Sequence, residues 1–180
     1  MGRPIKIGLD YFPLDVSIDD NLELIEAEHG LPGFSIVIKL WQKIYSSGYF
    51  IEWDDDTEML FARKINSEKT LVNSVIKSCF KRNIFDKTLF DEYGILTSSG
   101  IQKRFLHVCK SAKRSNISMI EPFVLVNSEF TDIITEKTAI NSEFSTQSKV
   151  KESKVKEYMY NQFYDSEISK TENEKYHRFV

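Results

Sequence analysis

Cysteine is scarce in this 180-residue chain, and so are proline and glycine: two, four and seven of each. Cys79 and Cys109 lie in segments of helical periodicity, with no histidine at ligand spacing. That argues against a disulfide framework or a thiolate zinc site, and for reduced, buried thiols in a cytoplasmic protein. Long apolar runs are missing too. Nothing approaches the ~20 residues needed to cross a bilayer, and MGRPIKIGLDYF at the start has no apolar core of signal-peptide length, so no membrane partner is expected.

Signatures of catalysis are also lacking. There is no glycine-rich phosphate loop, nucleophile elbow or paired-histidine motif. The three histidines are scattered: His29 beside Gly30 at a helix end, where it is expected to meet terminal carbonyls, His107 on a basic helix, and His177 near the end of the chain. No catalytic residue, metal or cofactor is assigned, and no enzyme is expected.

What is present is a core and an uneven distribution of charge. Hydrophobic residues make up 41% of the chain, thirteen of them Phe, which a disordered chain would lack. The net charge is only −3, but Asp10–Leu60 carries twelve acidic residues against Lys39 and Lys43. In Arg63–Arg114 twelve Lys and Arg face only Glu68, Asp86, Asp91 and Glu92. Such a split predicts one acidic and one basic face, the latter suited to a phosphate backbone, although solvated helix faces carry charge in any protein.

Periodicity and punctuation set out the elements. An Asp or Ser between Asp15 and Asp20 caps a helix that Gly30 ends, and Pro32 opens the next, about Gly33 to Ser46, with Phe34, Val37, Ile38, Trp41, Ile44 and Tyr45 at helical spacing. Gly48 stops it, and Tyr49–Trp53 reads as a strand. Asp54, Asp55 and Asp56 could suggest a cation site. With no histidine and no second acidic cluster, they read as the N-terminus of a helix through Ala62. Ser67 is expected to cap the next helix, to about Arg82. Ile84–Phe85 and Gly94–Thr97 read as strands flanking a Lys87–Tyr93 excursion, a wing, and Ser98 or Ser99 starts a helix to about Lys113.

Two helices separated only by a break at Asn66 suggest a helix-turn-helix. The fold expected is mainly α with a small antiparallel β wing, a winged helix-turn-helix, followed by a disordered polar linker. On the Ser67–Arg82 helix, Thr70, Asn73 and Lys77 share one side and suit base edges or phosphate, while Lys81, Arg82, Lys103, Arg104, Lys110 and Lys113 would supply phosphate contacts. The competing reading is an ordinary wet helix face, or a protein-interaction module anchored by Tyr49, Phe50 and Trp53. The DNA target could be an origin or, for a transcription regulator, an operator.

Past Asn116 the pattern weakens. Residues 116–128 read as a short extension, with at most an edge strand because of Pro122. Residues 129–157 read as a polar low-complexity linker, with Asn127–Phe130 echoed at Asn141–Phe144 and Lys149–Glu152 at Lys154–Glu157. Residues 158–180 read as the start of an incomplete C-terminal segment of a longer protein.

Four separated blocks, Gly8–Asp15, Glu26–Phe34, Ile44–Phe50 and Gly94–Arg104, resemble the Lin-type N-terminal domain of unknown function found in phage, prophage and bacterial proteins. The resemblance covers about residues 5–115, and such domains often precede a DnaD-like replication domain. It implies a winged-helix domain, residues 1–115, in a replisome-organiser type of protein, with DNA, further copies of itself, and a helicase or its loader as partners. In DnaD-like proteins the N-terminal domain is often a self-association module, and the family brings no catalytic residues.

Overall fold

Four side chains decide where helices begin. Asp19 accepts from Asn21 N at 3.0 Å, Asp54 from Thr57 N at 2.8 Å, Asp86 from Leu89 N at 2.8 Å and Ser98 from Ile101 N at 3.3 Å. Each satisfies an amide that a first turn leaves without a partner. They start α1 (Asp20–Ser47), α2 (Asp55–Lys64), α4 (Lys87–Tyr93) and α5 (Ser99–Ser111). The three aspartates after Trp53 are thus a helix start. α3 (Lys69–Lys81) begins differently: Glu68, not Ser67, is its cap residue, and it makes no side-chain cap bond.

The computed structural model describes residues 7–114 and 117–126, together with the backbone of Ile134–Thr138. The chain divides into a unit spanning Gly8–Ile140 and a second formed by residues 1–7 and 141–180, of which only Ile7 is described. The expected C-terminal segment, His177, the short repeats and most of the expected linker therefore lie outside the described residues.

The expected break at Gly30 is a kink within α1, where the backbone turns to φ 67°, ψ −173° before Pro32 resumes the helix. A residue with a Cβ pays a steric cost for positive φ, so glycine suits the joint. Ile25 before the kink and Val37, Leu40 and Ile44 after it are fully buried. Gly8 is needed for another reason: a Cβ there would stand 1.9 Å from the Ser46 carbonyl oxygen. This close approach seats the leading strap on the end of α1, with Leu9 N donating to Tyr45 O at 2.7 Å.

The sheet is small and its pairing corrects the expected wing. β1 (Ile51–Glu52) pairs antiparallel with β2 (Ile95–Leu96), Ile51 opposite Leu96 and Glu52 opposite Ile95. Lys87–Tyr93, expected as a wing excursion, is helix α4, and Ile84–Phe85 is not a strand. Phe85 is instead buried, with Phe80 6.4 Å away, and Leu89 is buried on α4. An Asp cap at one end and the Gly94 N–H on Phe90 O at the other stabilise a helix where a wing excursion between strands was expected. Among the described residues the architecture is five helices with one two-stranded antiparallel sheet, plus β3 (Ile117–Ile120) paired in parallel with β4 (Ile134–Thr138). β4 falls inside the expected linker.

The core also runs past residue 115. Met119, Ile120 and Phe123 are buried, and Phe123 packs edge-on against Phe50 at 5.1 Å and Tyr93 at 5.1 Å. Two buried side chains hold this segment as a neighbouring strand would. Gln102 Nε2 donates to Phe123 O at 2.6 Å and its Oε1 accepts from Leu125 N at 2.8 Å, while the Tyr49 hydroxyl accepts from Ile120 N at 2.9 Å. Pro122 sits in a single 3-10 turn, Glu121–Phe123, which ends the strand. Residues 117–126 are therefore part of the packed domain. Phe123→Ala should cost about 3–5 kcal/mol, read as a lower midpoint in urea unfolding; an unchanged midpoint would show that the domain closes without this segment.

Candidate nucleic-acid interface

The outer side of α3 is determined by its inner side. Val72, Val75, Ile76 and Cys79 are buried, which turns Thr70, Ser74, Lys77 and Lys81 to solvent and leaves Asn73 half-buried. Only residues 65–68 separate α2 from α3, and the two helices pack against each other.

A polar clasp sets the position of α3 on α1. Arg82 Nη2 meets Glu28 Oε2 at 2.7 Å. Ser78 Oγ donates to Glu28 Oε1 at 3.1 Å, so its oxygen is left to accept from His29 Nε2 at 2.9 Å. His29 thus meets a side chain of α3 rather than the helix-end carbonyls expected for it. Ser, His and Glu together resemble a nucleophilic relay, but the geometry differs. In a relay the carboxylate holds the far ring nitrogen, whereas Glu28 lies 3.8 Å from Nε2, the nitrogen already facing Ser78. The group is a crosslink between two helices.

The nine residues expected to bind DNA are not equivalent. Lys77, Lys81, Lys103 and Lys113 are exposed, and none has an ion-pair partner among the described residues. Thr70 is exposed, and its hydroxyl donates to Glu68 at 3.3 Å. Lys110 is exposed and already engaged. Arg82 is committed to Glu28, which corrects its assignment as a phosphate contact: its charge is already neutralised. Arg104 is half-buried on α1, its guanidinium 5.3 Å over the Trp41 ring and its Nη1 3.5 Å from the Tyr45 hydroxyl. The two arginines are held at opposite ends of α1, Arg82 before the Gly30 kink and Arg104 well beyond it.

Tyr49, Phe50 and Trp53, expected as interface anchors, are 6%, 7% and 6% exposed. Tyr49 and Phe50 pack on each other at 4.9 Å and Trp53 on Phe61 at 5.3 Å, so they belong to the core and not to a surface. The sequence did not single out the clasp. Its one signal is Ser78, a small polar residue on the apolar stripe of α3. Both thiols are buried and unbridged, and burial pushes Cys79 up to about 12, far from the thiolate range of a nucleophile. Among the described residues, no group of three His, Cys, Asp or Glu could hold a metal ion, and no helix is long and apolar enough to cross a membrane.

Comparison with known proteins gives a match to the family model "Lin1244/Lin1753-like, N-terminal" over residues 11–101. The chain belongs to the Lin1244/Lin1753-like family. It is 38% identical over 174 residues to the uncharacterized phage-related protein Lin1244/Lin1753 of Listeria innocua serovar 6a, an alignment covering 87% of this chain. That alignment takes in 57% of the relative, so the chain spans little more than half the relative's length. No solved structure matches. The Lin1244/Lin1753-like segment contains the clasp and the whole of α3 but ends two residues before Lys103, leaving most of α5 beyond it.

The clasp should be pH-dependent. The Ser78 hydrogen bond and the Arg82 charge hold the Glu28 carboxyl below its ordinary value of 4.5. Its stabilising contribution is therefore complete above that value and is lost as pH falls through the lower folded one. Glu28→Gln should lower stability at neutral pH, and the gap to the parent should close under acid. Urea unfolding at pH 7 and near pH 3 measures this; a gap independent of pH would show that the ion pair contributes nothing.

Proposed function

We propose that this chain is a non-enzymatic, DNA-associated protein of phage or mobile-element replication, binding duplex DNA through a helix-turn-helix built from α2 and α3. The observation that carries this reading is that Lys77 and Lys81 on α3 are exposed with no carboxylate partner among the described residues. Of the other cations, Lys69 is paired with Asp55 at 2.9 Å, Lys87 with Asp91 and Arg82 with Glu28, whereas Arg63 and Lys64 on α2 are exposed like the α3 lysines. Unpaired lysines on a helix side also bearing Thr70 and Asn73 fit phosphate contact beside base edges. Asp55 and Asp56 at the start of α2 lie towards the N-terminal end of α3, so the phosphate contacts fall at its Lys77–Lys81 end. The relative's description as phage-related supports the phage or mobile-element setting; the role in replication, with a replication helicase or its loader as the protein partner, is part of the proposal.

A second reading, self-association as an oligomerisation module, is favoured by a different feature. Leu24, Leu31, Met59 and Leu60 are large apolar side chains 49%, 68%, 55% and 68% exposed on α1 and α2. Exposed apolar groups of this size are used as contacts between copies.

The test is fluorescence anisotropy of the full chain on duplex DNA at several salt concentrations. Affinity should fall with salt, and Lys77→Glu with Lys81→Glu should flatten the log–log slope by roughly two units, about 0.9 for each lost phosphate contact. Both positions are exposed, so the circular dichroism spectrum should not change. Binding indifferent to salt, or unaltered in the double variant, overturns the α3 reading. A species larger than a monomer by light scattering, dispersed by Met59→Glu, would then favour self-association.

A further inference from the structure

The face of α5 and the strap that crosses α1 combine two features the duplex reading does not use. Lys103, His107 and Lys110 are exposed at successive turns of α5, with Lys113 just beyond. From Lys103 to Lys110 the stripe is roughly 10 Å long at 1.5 Å per residue, and from Ile95 to Ser115 the chain contains no acidic residue. Arg104 flanks the stripe and is held without being neutralised. A tryptophan face and a phenol fix the direction of its guanidinium, but no carboxylate among the described residues cancels its charge. This is the reverse of Arg82, whose charge Glu28 takes up.

The Trp41–Tyr45 pair that carries Arg104 also carries the strap. Phe12 stacks on Tyr45 at 4.8 Å and meets Trp41 edge-on at 6.4 Å. The next residue back, Tyr11, is 66% exposed and makes no ring contact among the described residues. Trp41 Nε1 in the same cluster is buried with no hydrogen-bond partner. Tyr11 is thus one residue from a ring that packs on the same Trp41–Tyr45 pair as Arg104; an open aromatic ring, a fixed cationic plane and exposed lysines are the parts of a stacking platform beside a phosphate track. In a duplex the bases already stack on one another and offer Tyr11 nothing. A single strand offers both its backbone and its π faces.

We infer that the α5 stripe, Arg104 and Tyr11 form a seat for single-stranded DNA, separate from the α3 face. The inference rests on the reading of this chain as DNA-associated, but on a different surface and a different form of DNA. The test uses the full chain and a labelled oligothymidylate of about twenty residues, longer than one strand-binding module typically covers, with a duplex of equal length in parallel. Tyr11→Ala should weaken oligothymidylate binding roughly fivefold or more, the loss of one stacked base, while Tyr11→Phe stays within about twofold of the parent. Duplex binding should be the same in all three proteins. Lys103→Glu with Lys113→Glu should also reduce oligothymidylate binding and its salt dependence. Oligothymidylate affinity indifferent to Tyr11→Ala, or absent while the duplex binds, overturns the seat and leaves the α3 reading standing. Tyr11-sensitive binding of the oligothymidylate without duplex binding supports the seat and overturns the α3 reading.

Discussion

The burial of one face of α3 against α1, secured by Glu28 taking the charge of Arg82 and the hydroxyl of Ser78, fixes what the rest of the molecule presents to solvent. A helix with one apolar stripe can slide or rotate on a hydrophobic neighbour at modest cost, because dispersion and burial have little directionality. An ion pair and a hydroxyl held between two helices have one register only. Breaking such a pair leaves an uncompensated charge, which penalises other registers more than the pair itself stabilises this one. The clasp thus determines which of the polar side chains of α3 reach solvent, and Lys77 and Lys81 are among them.

Two arginines of the basic half, Arg82 and Arg104, differ through their neighbours in the same way. Arginine next to a carboxylate is structural; arginine on an aromatic face keeps its charge available. Arg82 and Arg104 are the same residue type within the same basic segment, and only their neighbours distinguish them. This contrast divides a general excess of lysine and arginine into two surfaces of different make: one built from a helix side bearing lysines and small polar groups, the other from cations next to aromatic rings.

Closure of the domain depends on a different kind of bond. Gln102 and Tyr49 lie in the core, yet both offer polar atoms to the backbone of residues 120–125 and so act as part of a sheet edge. A buried amide is costly unless both its ends are satisfied. Gln102 meets that condition only if the chain after α5 returns to the domain, so this residue ties the fold to a segment beyond the last long helix.

Local signals in the sequence were enough to determine the starts of α1, α2 and α5, the Gly30 break, the depth of the apolar stripes and the imbalance of charge along the chain. Asp caps, glycine at positive φ and helical periodicity all act within a few residues, so their outcome does not depend on what lies across the fold. Tertiary structure alone decided that Lys87–Tyr93 is helix, that Tyr49, Phe50 and Trp53 are core, and that Arg82 is neutralised while Arg104 is not. Each of these turns on a packing partner: Phe80 of the preceding helix against Phe90 of α4, Phe123 against Phe50 from seventy-three residues away, Glu28 fifty-four residues before Arg82. Residue type sets what a side chain is able to do, and the neighbour that packing delivers decides whether that capacity is used inside the protein or left for a partner.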